Sequence, residues 1–176
     1  RDEELLIPIK KFQEAGVTYE LASTHVGVVM GVLGKKAKVN RTFEDVLLSG
    51  VDDYYALMIV GGPGTQVHLW NNRHLIELVT IFNTRQKVVA AIDNAPIVVA
   101  KAGILKKKIA TVAPGLTVRE MMKEDAIIQN KPVVYKDRIV TAMGFEAAEE
   151  FASIIIKYEK GNPEFVPTSG KAGFAF

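Results

Sequence analysis

Two short apolar runs limit the fold more than any other feature of the chain. Ala56 to Val60 (ALMIV) and Lys87 to Ile92 (KVVAAI) carry almost no polar position, and each ends on turn-forming residues, Gly61 to Gly64 in one case and Asp93 and Asn94 in the other. A strand with one wet face alternates apolar and polar side chains; a continuously apolar strand is buried on both faces, as in a parallel sheet covered by helices. Helical spacing follows each run. Leu75, Leu78, Val79 and Phe82 lie on one stripe within Leu69 to Gln86, and Ala95 to Ala102 restarts a helix that closes at Gly103. Strands alternating with helices give βαβ units, a mainly parallel sheet and helices on both faces, so the predicted class is α/β.

The remaining segments fit this frame. Glu3 to Ala15 places Leu6, Ile9 and Phe12 at helical spacing with Gly16 just beyond its end, and Val17 to Ala22 alternates as a strand does. A Gly-rich segment with His25, Gly27, Gly31 and Gly34 contains the apolar run Val26 to Leu33, which reads equally as a strand or a hairpin. Thr42 to Leu48 reads as a short helix, Ile109 to Val112, Val133 to Tyr135 and Ile139 to Ala142 as short strands, and Phe145 to Glu159 as a final amphipathic helix.

Length and composition bound the function. The 176 residues suffice for one core, so a single domain is expected over 1–176, with 1–160 as its core and 161–176 as a tail or displaced segment. A net charge of +2 creates no strong field for nucleic acid or an acidic membrane surface, and no apolar run approaches the roughly 18 residues of a bilayer span, so neither partner is expected. Cysteine is absent, which excludes disulfides, thiolate metal sites and thiol nucleophiles and fits a cytoplasmic location. His25, His68 and His74 lack metal-ligand spacing, and no cofactor motif is present, so neither a metal nor a cofactor is expected. Lys101, Lys106, Lys107 and Lys108 read as a solvated rim, since no aromatic platform is interleaved with them.

In parallel sheets, ligands gather beyond the carboxyl ends of the strands, which directs attention to Gly61 to Gly64 and to Asp93 and Asn94. Asp93 falls on a sharp strand-to-helix turn near the positive end of the next helix, the position of a nucleophile elbow. It, or Asn94, reads as readily as a simple cap of that helix before Pro96. The GGPG segment offers unobstructed backbone N–H groups to an oxyanion, or forms only a tight turn; the Lys and Ser or Thr of a P-loop are missing. Glu3 and Glu4 sit in a first helical turn, where the dipole alone accounts for acids.

Taken in order, VDDYYALMIVGGPG and KVVAAIDNAPIVVAKAGILKKKIATV resemble the ThiJ/PfpI superfamily, and the likeness runs from RDEELLIP to EAAEEFASIII. The resemblance implies a flavodoxin-like three-layer sandwich of the class I glutamine amidotransferase type, and the activities of intracellular proteases, glyoxalases, deglycases and chaperones. In that family a Glu four residues before a Pro in the first helix shares a hydrogen bond with the elbow Cys; Pro8 puts it at Glu4. The family's glycine pair falls on Gly61 and Gly62, with the Gly62 backbone helping to form the oxyanion hole. The Cys falls on Asp93, the His that often follows it on Asn94, and a further His found before a Pro in some members on Ala113. Two carboxyl groups, Glu4 and Asp93, would then face each other, sharing a proton with one pKa raised.

Two functions follow. One is a member without thiol catalysis, acting in a homo-oligomer as small-molecule binder, chaperone or interaction protein. The other is a hydrolase or lyase that uses the Glu4 and Asp93 pair on a small carbonyl compound or amide, with the Gly62 amide stabilising the oxyanion. The family also begins with a central apolar strand before the first helix, and none precedes Arg1, whereas KAGFAF at the other end reads like the approach to RDEELL. Either an upstream strand is missing or the strand has been relocated.

Overall fold

The computed structural model describes residues 1–161 and 171–175. Helix α1 (Asp2–Glu14) leads to β1 (Tyr19–Ser23), then to a hairpin of β2 (Gly27–Met30) and β3 (Lys36–Val39), a short β4 (Arg41–Thr42) and α2 (Phe43–Ser49). Next come β5 (Tyr54–Ile59), α3 (Gly64–His68), α4 (Arg73–Thr84), β6 (Val88–Ile92), α5 (Pro96–Lys101), β7 (Ile109–Ala110) and α6 (Leu116–Lys123). The described chain closes with β8 (Ile127–Ile128), β9 (Val133–Lys136), β10 (Ile139–Ala142), a 3-10 turn at Phe145–Ala147, α7 (Ala148–Gly161) and β11 (Lys171–Ala175).

Seven strands form one sheet in the order β4-β1-β11-β5-β6-β10-β9, parallel throughout except for β9, which pairs antiparallel with β10. The two continuous apolar runs, β5 and β6, lie side by side, with Leu57 opposite Val89 and Met58 opposite Ala90. Successive side chains enter opposite layers, as the pleat requires. Met58, Ala90 and Ile92 pack with Leu5 and Phe12 of α1 and with Phe151 and Ile155 of α7. Leu57, Ile59, Val89 and Ala91 pack on the other face with Phe43 of α2, Leu75, Leu78 and Phe82 of α4, and Ile97 of α5. This is the expected α/β three-layer sandwich.

Two segments differ from the sequence reading, and two that it left open between alternatives are decided. The helix expected over 69–86 begins only at Arg73, because the Asn72 side chain caps it by accepting the Leu75 amide at 3.0 Å. The open segment after β1 is a hairpin, with Val28 opposite Lys38 and Met30 opposite Lys36. Ile109 and Ala110 pair with Ile127 and Ile128 in a separate two-stranded sheet, and α6 between them was not foreseen. The last of the four is topological. Lys171–Ala175 is no tail: it lies between β1 and β5, hydrogen-bonded on both sides, with Tyr19 opposite Ala172 and Ile59 opposite Ala175. The rest of the segment expected as a tail, 162–170 together with 176, lies outside the described residues.

Candidate functional site

The site forms where β5 and β6 end side by side and α1 begins above them. Asp93 directly follows β6 and adopts φ 62°, a left-handed conformation uncommon for a residue with a Cβ. Two backbone hydrogen bonds hold it there: its amide donates to Ala142 O at 2.9 Å, and its carbonyl accepts from the Ala113 amide at 2.8 Å. Such over-determined strain is characteristic of functional turns.

Neither Asp93 nor Asn94 caps α5, whose N-cap is Ala95 without a side-chain hydrogen bond. Their side chains turn instead toward the glycine loop. The Gly62 amide donates to Asp93 Oδ2 at 2.9 Å, and Asn94 Nδ2 donates to Gly62 O at 2.9 Å. The Trp70 indole N–H donates to Asn94 O at 3.1 Å and fixes the turn from the other side. Gly62 therefore does bind an anion through its backbone, and that anion is the protein's own carboxylate. Its φ of 108° is open to glycine and strained for any other residue.

Glu4 comes from the first turn of α1, and the dipole does not account for it: the residue is 1% exposed, and its Oε2 has no hydrogen-bond partner. Its neighbour Glu3 behaves as expected of a helix-start acid, pairing on the surface with the Arg1 guanidinium at 3.2 Å. Gly61 supplies the close approach that brings Glu4 to Asp93. A Cβ at Gly61 would lie 2.6 Å from Asp93 Cβ, 2.6 Å from Ile92 O and 2.7 Å from Glu4 Oε2, so the two acidic side chains crowd one point where only glycine fits. Burial, and after it the nearby Asp93 charge, push the Glu4 carboxyl up to about 7 against a backbone hydrogen bond from Gly61. The expectation of a raised carboxyl in the pair thus falls on Glu4. Gly62 engages Asp93 Oδ2, and Glu4 Oε2 is left buried without a hydrogen-bond partner.

A cleft of about 440 Å³ opens beside Gly61 and Gly62, roofed by the β2-β3 hairpin and closed on the far side by α3. Neither Glu4 nor Asp93 lines it. The residue that shapes this roof, Asp2, was not singled out in the sequence. Its buried carboxylate accepts the Leu33 amide at 2.8 Å and the Lys35 amide at 2.9 Å, and these bonds, the Leu33 one foremost, hold it below the usual carboxylate range. No periodicity distinguishes it from its neighbours in RDEELL.

Comparison with known proteins agrees with this geometry. The chain is 43% identical over 164 residues to an uncharacterized protein of Methanocaldococcus jannaschii, covering 92% of this chain and 78% of that one. It is 32% identical over 144 residues to the deglycase PfpI of Pyrococcus furiosus, covering 81% and 79%. Among solved structures, the ThiJ/PfpI domain protein of Brachyspira murdochii superposes with a TM-score of 0.87 at 28% identity, covering 92% of this chain and 91% of that one. The model of the DJ-1/PfpI family matches residues 1–158. With that match extending from α1 through Gly61, Gly62 and Asp93 into α7, the chain belongs to the DJ-1/PfpI family.

Proposed function

We propose that this chain is a DJ-1/PfpI member in which Asp93 stands where relatives carry a nucleophilic Cys, and that it binds small molecules or partner proteins rather than turning over substrate by a thiol route. The single observation that carries the reading is the hydrogen bond from the Gly62 amide to Asp93 Oδ2 at 2.9 Å. A donor aimed at a developing oxyanion stabilises a transition state only if it is free to receive that charge. Here a resident carboxylate occupies the donor in the ground state, so the site has the electrostatics of a filled anion hole. Self-association, cytoplasmic location and a small carbonyl or amide ligand accompany the proposal as expectations from the family resemblance.

A second reading has one observation in its favour. A carboxyl held at about 7 beside a second carboxylate is matched to general acid-base work near neutral pH, and Glu4 with Asp93 forms such a pair. The two readings separate in an assay of methylglyoxal, peptide and amide substrates on the native protein, Asp93→Ala and Asp93→Cys. The binder reading expects no turnover by the native protein or Asp93→Ala, and measurable turnover by Asp93→Cys. Native turnover that disappears in Asp93→Ala overturns it in favour of the carboxyl pair.

A further inference from the structure

Apart from Gly61 and Gly62, the lining of the cleft under the hairpin is left unused by the Glu4 and Asp93 chemistry. Leu5, Val29, Met30 and Leu69 make its walls largely apolar, and Lys35, at the hairpin tip, and Lys36, the first residue of β3, also line it. Among the described residues neither lysine has an ion-pair partner. The one carboxylate in the lining is Asp2, and its two oxygens are each taken by a backbone amide of the hairpin tip, Leu33 and Lys35. His25 and His68 add imidazoles and no negative charge. The Arg1 guanidinium, by contrast, is occupied with Glu3 and the Phe145 ring, 4.1 Å from its centroid. The volume of about 440 Å³ lies within the range of small-molecule sites.

An apolar trough with uncompensated cations at one edge selects by two criteria. Heavily hydrated polyanions lose their hydration against the walls without recovering it, and neutral apolar molecules leave the lysines unmatched. An amphiphile with a single anionic head meets both conditions. We propose that this cleft binds a medium-chain monocarboxylate, its carboxylate at Lys35 and Lys36 and its alkyl chain along Leu5, Val29, Met30 and Leu69. The cleft adjoins the Glu4 and Asp93 pair through Gly61 and Gly62, but neither acid lines it, so its occupancy is measured independently of turnover by that pair.

Isothermal titration of the full chain with octanoate, decanoate and 1-octanol tests this, with light scattering on the same samples. The expected result is saturable binding at one carboxylate per chain. Affinity should rise about fourfold for each added methylene, and 1-octanol should bind at least tenfold more weakly than octanoate. Lys36→Glu, a change on an exposed strand, should weaken octanoate at least tenfold with an unchanged melting temperature, and Lys35→Glu should do the same. Equal affinity for octanol and octanoate overturns the proposal, as does unsaturable binding. So does a result in which a second copy of the chain covers the cleft and no carboxylate enters.

Discussion

Replacing Glu4 with Gln should remove a pH dependence of stability that the buried carboxyl imposes on the native protein. The folded-state value of about 7 lies above the ordinary 4.5, so the protonated form is the one the fold favours. Below about pH 4.5 Glu4 carries its proton in both states, and the stabilisation relative to high pH is fully present. As pH rises toward 7 the unfolded chain releases the proton while the folded chain retains it, so stability falls, and above about 7 the loss is complete. Each pH unit between the two values is worth about 1.4 kcal/mol, which makes the loss roughly 3 kcal/mol over this window. Glutamine presents a neutral group of the same shape and does not titrate. The stability of Glu4→Gln relative to the native protein should therefore rise by about 3 kcal/mol between pH 4.5 and pH 8. Urea unfolding at intervals across that range measures it directly. Asp93→Asn, which removes the neighbouring charge and keeps the burial, should give a slope between the two. Parallel native and Glu4→Gln curves would refute the assignment of a buried, raised carboxyl.

Two further outcomes test the frame around the site. Phe174→Ala should cost about 3 to 5 kcal/mol in chemical denaturation, because the ring is fully buried and lies 5.4 Å from Phe12 and 5.5 Å from Tyr19; a loss under about 1 kcal/mol would mean that β11 does not sit in the core. Asp2→Ala should accelerate amide exchange at Leu33 and Lys35, whose hydrogen bonds it removes, while β5 and β6 keep their protection. Unchanged exchange at both amides would show that the hairpin roof is held by other contacts.

What could be read in the chain without coordinates was whatever depends on local pattern. ALMIV and VVAAI have no polar position, so their burial in the sheet interior follows from hydrophobicity, whereas their pairing side by side does not, and Gly16 at φ 73° marks the end of α1 as its spacing suggests. The start of α4 was misread because Leu69 and Trp70 continue an apolar stretch that Asn72 interrupts by a single side-chain bond. The site was half legible. Residue types singled out Gly61, Gly62, Asp93 and Asn94, but local rules read the last two as helix caps as readily as elbow residues. The bonds that decide otherwise, from Gly62 to Asp93 and from Asn94 to Gly62, join residues about thirty positions apart and leave no periodic trace. Burial of Glu4 was equally hidden, since the first turn of α1 holds three acids and only the contacts with Gly61 and Asp93 set one apart.

The placement of β11 bears on how the chain reaches its native state. β1 and β5 do not pair with each other; Lys171–Ala175 lies between them and pairs with both. The ladder from β5 through β6 to β10 joins segments closer in sequence, whereas the pairings Tyr19–Ala172 and Ala56–Ala172 must await a segment far later in the chain. Contacts of such sequence separation slow folding, and until they form the edges of β1 and β5 stand open with Phe12 lacking its partner ring. Arrival of Lys171–Ala175, rather than formation of the helices, is therefore the step that joins β1 and β5 in one sheet.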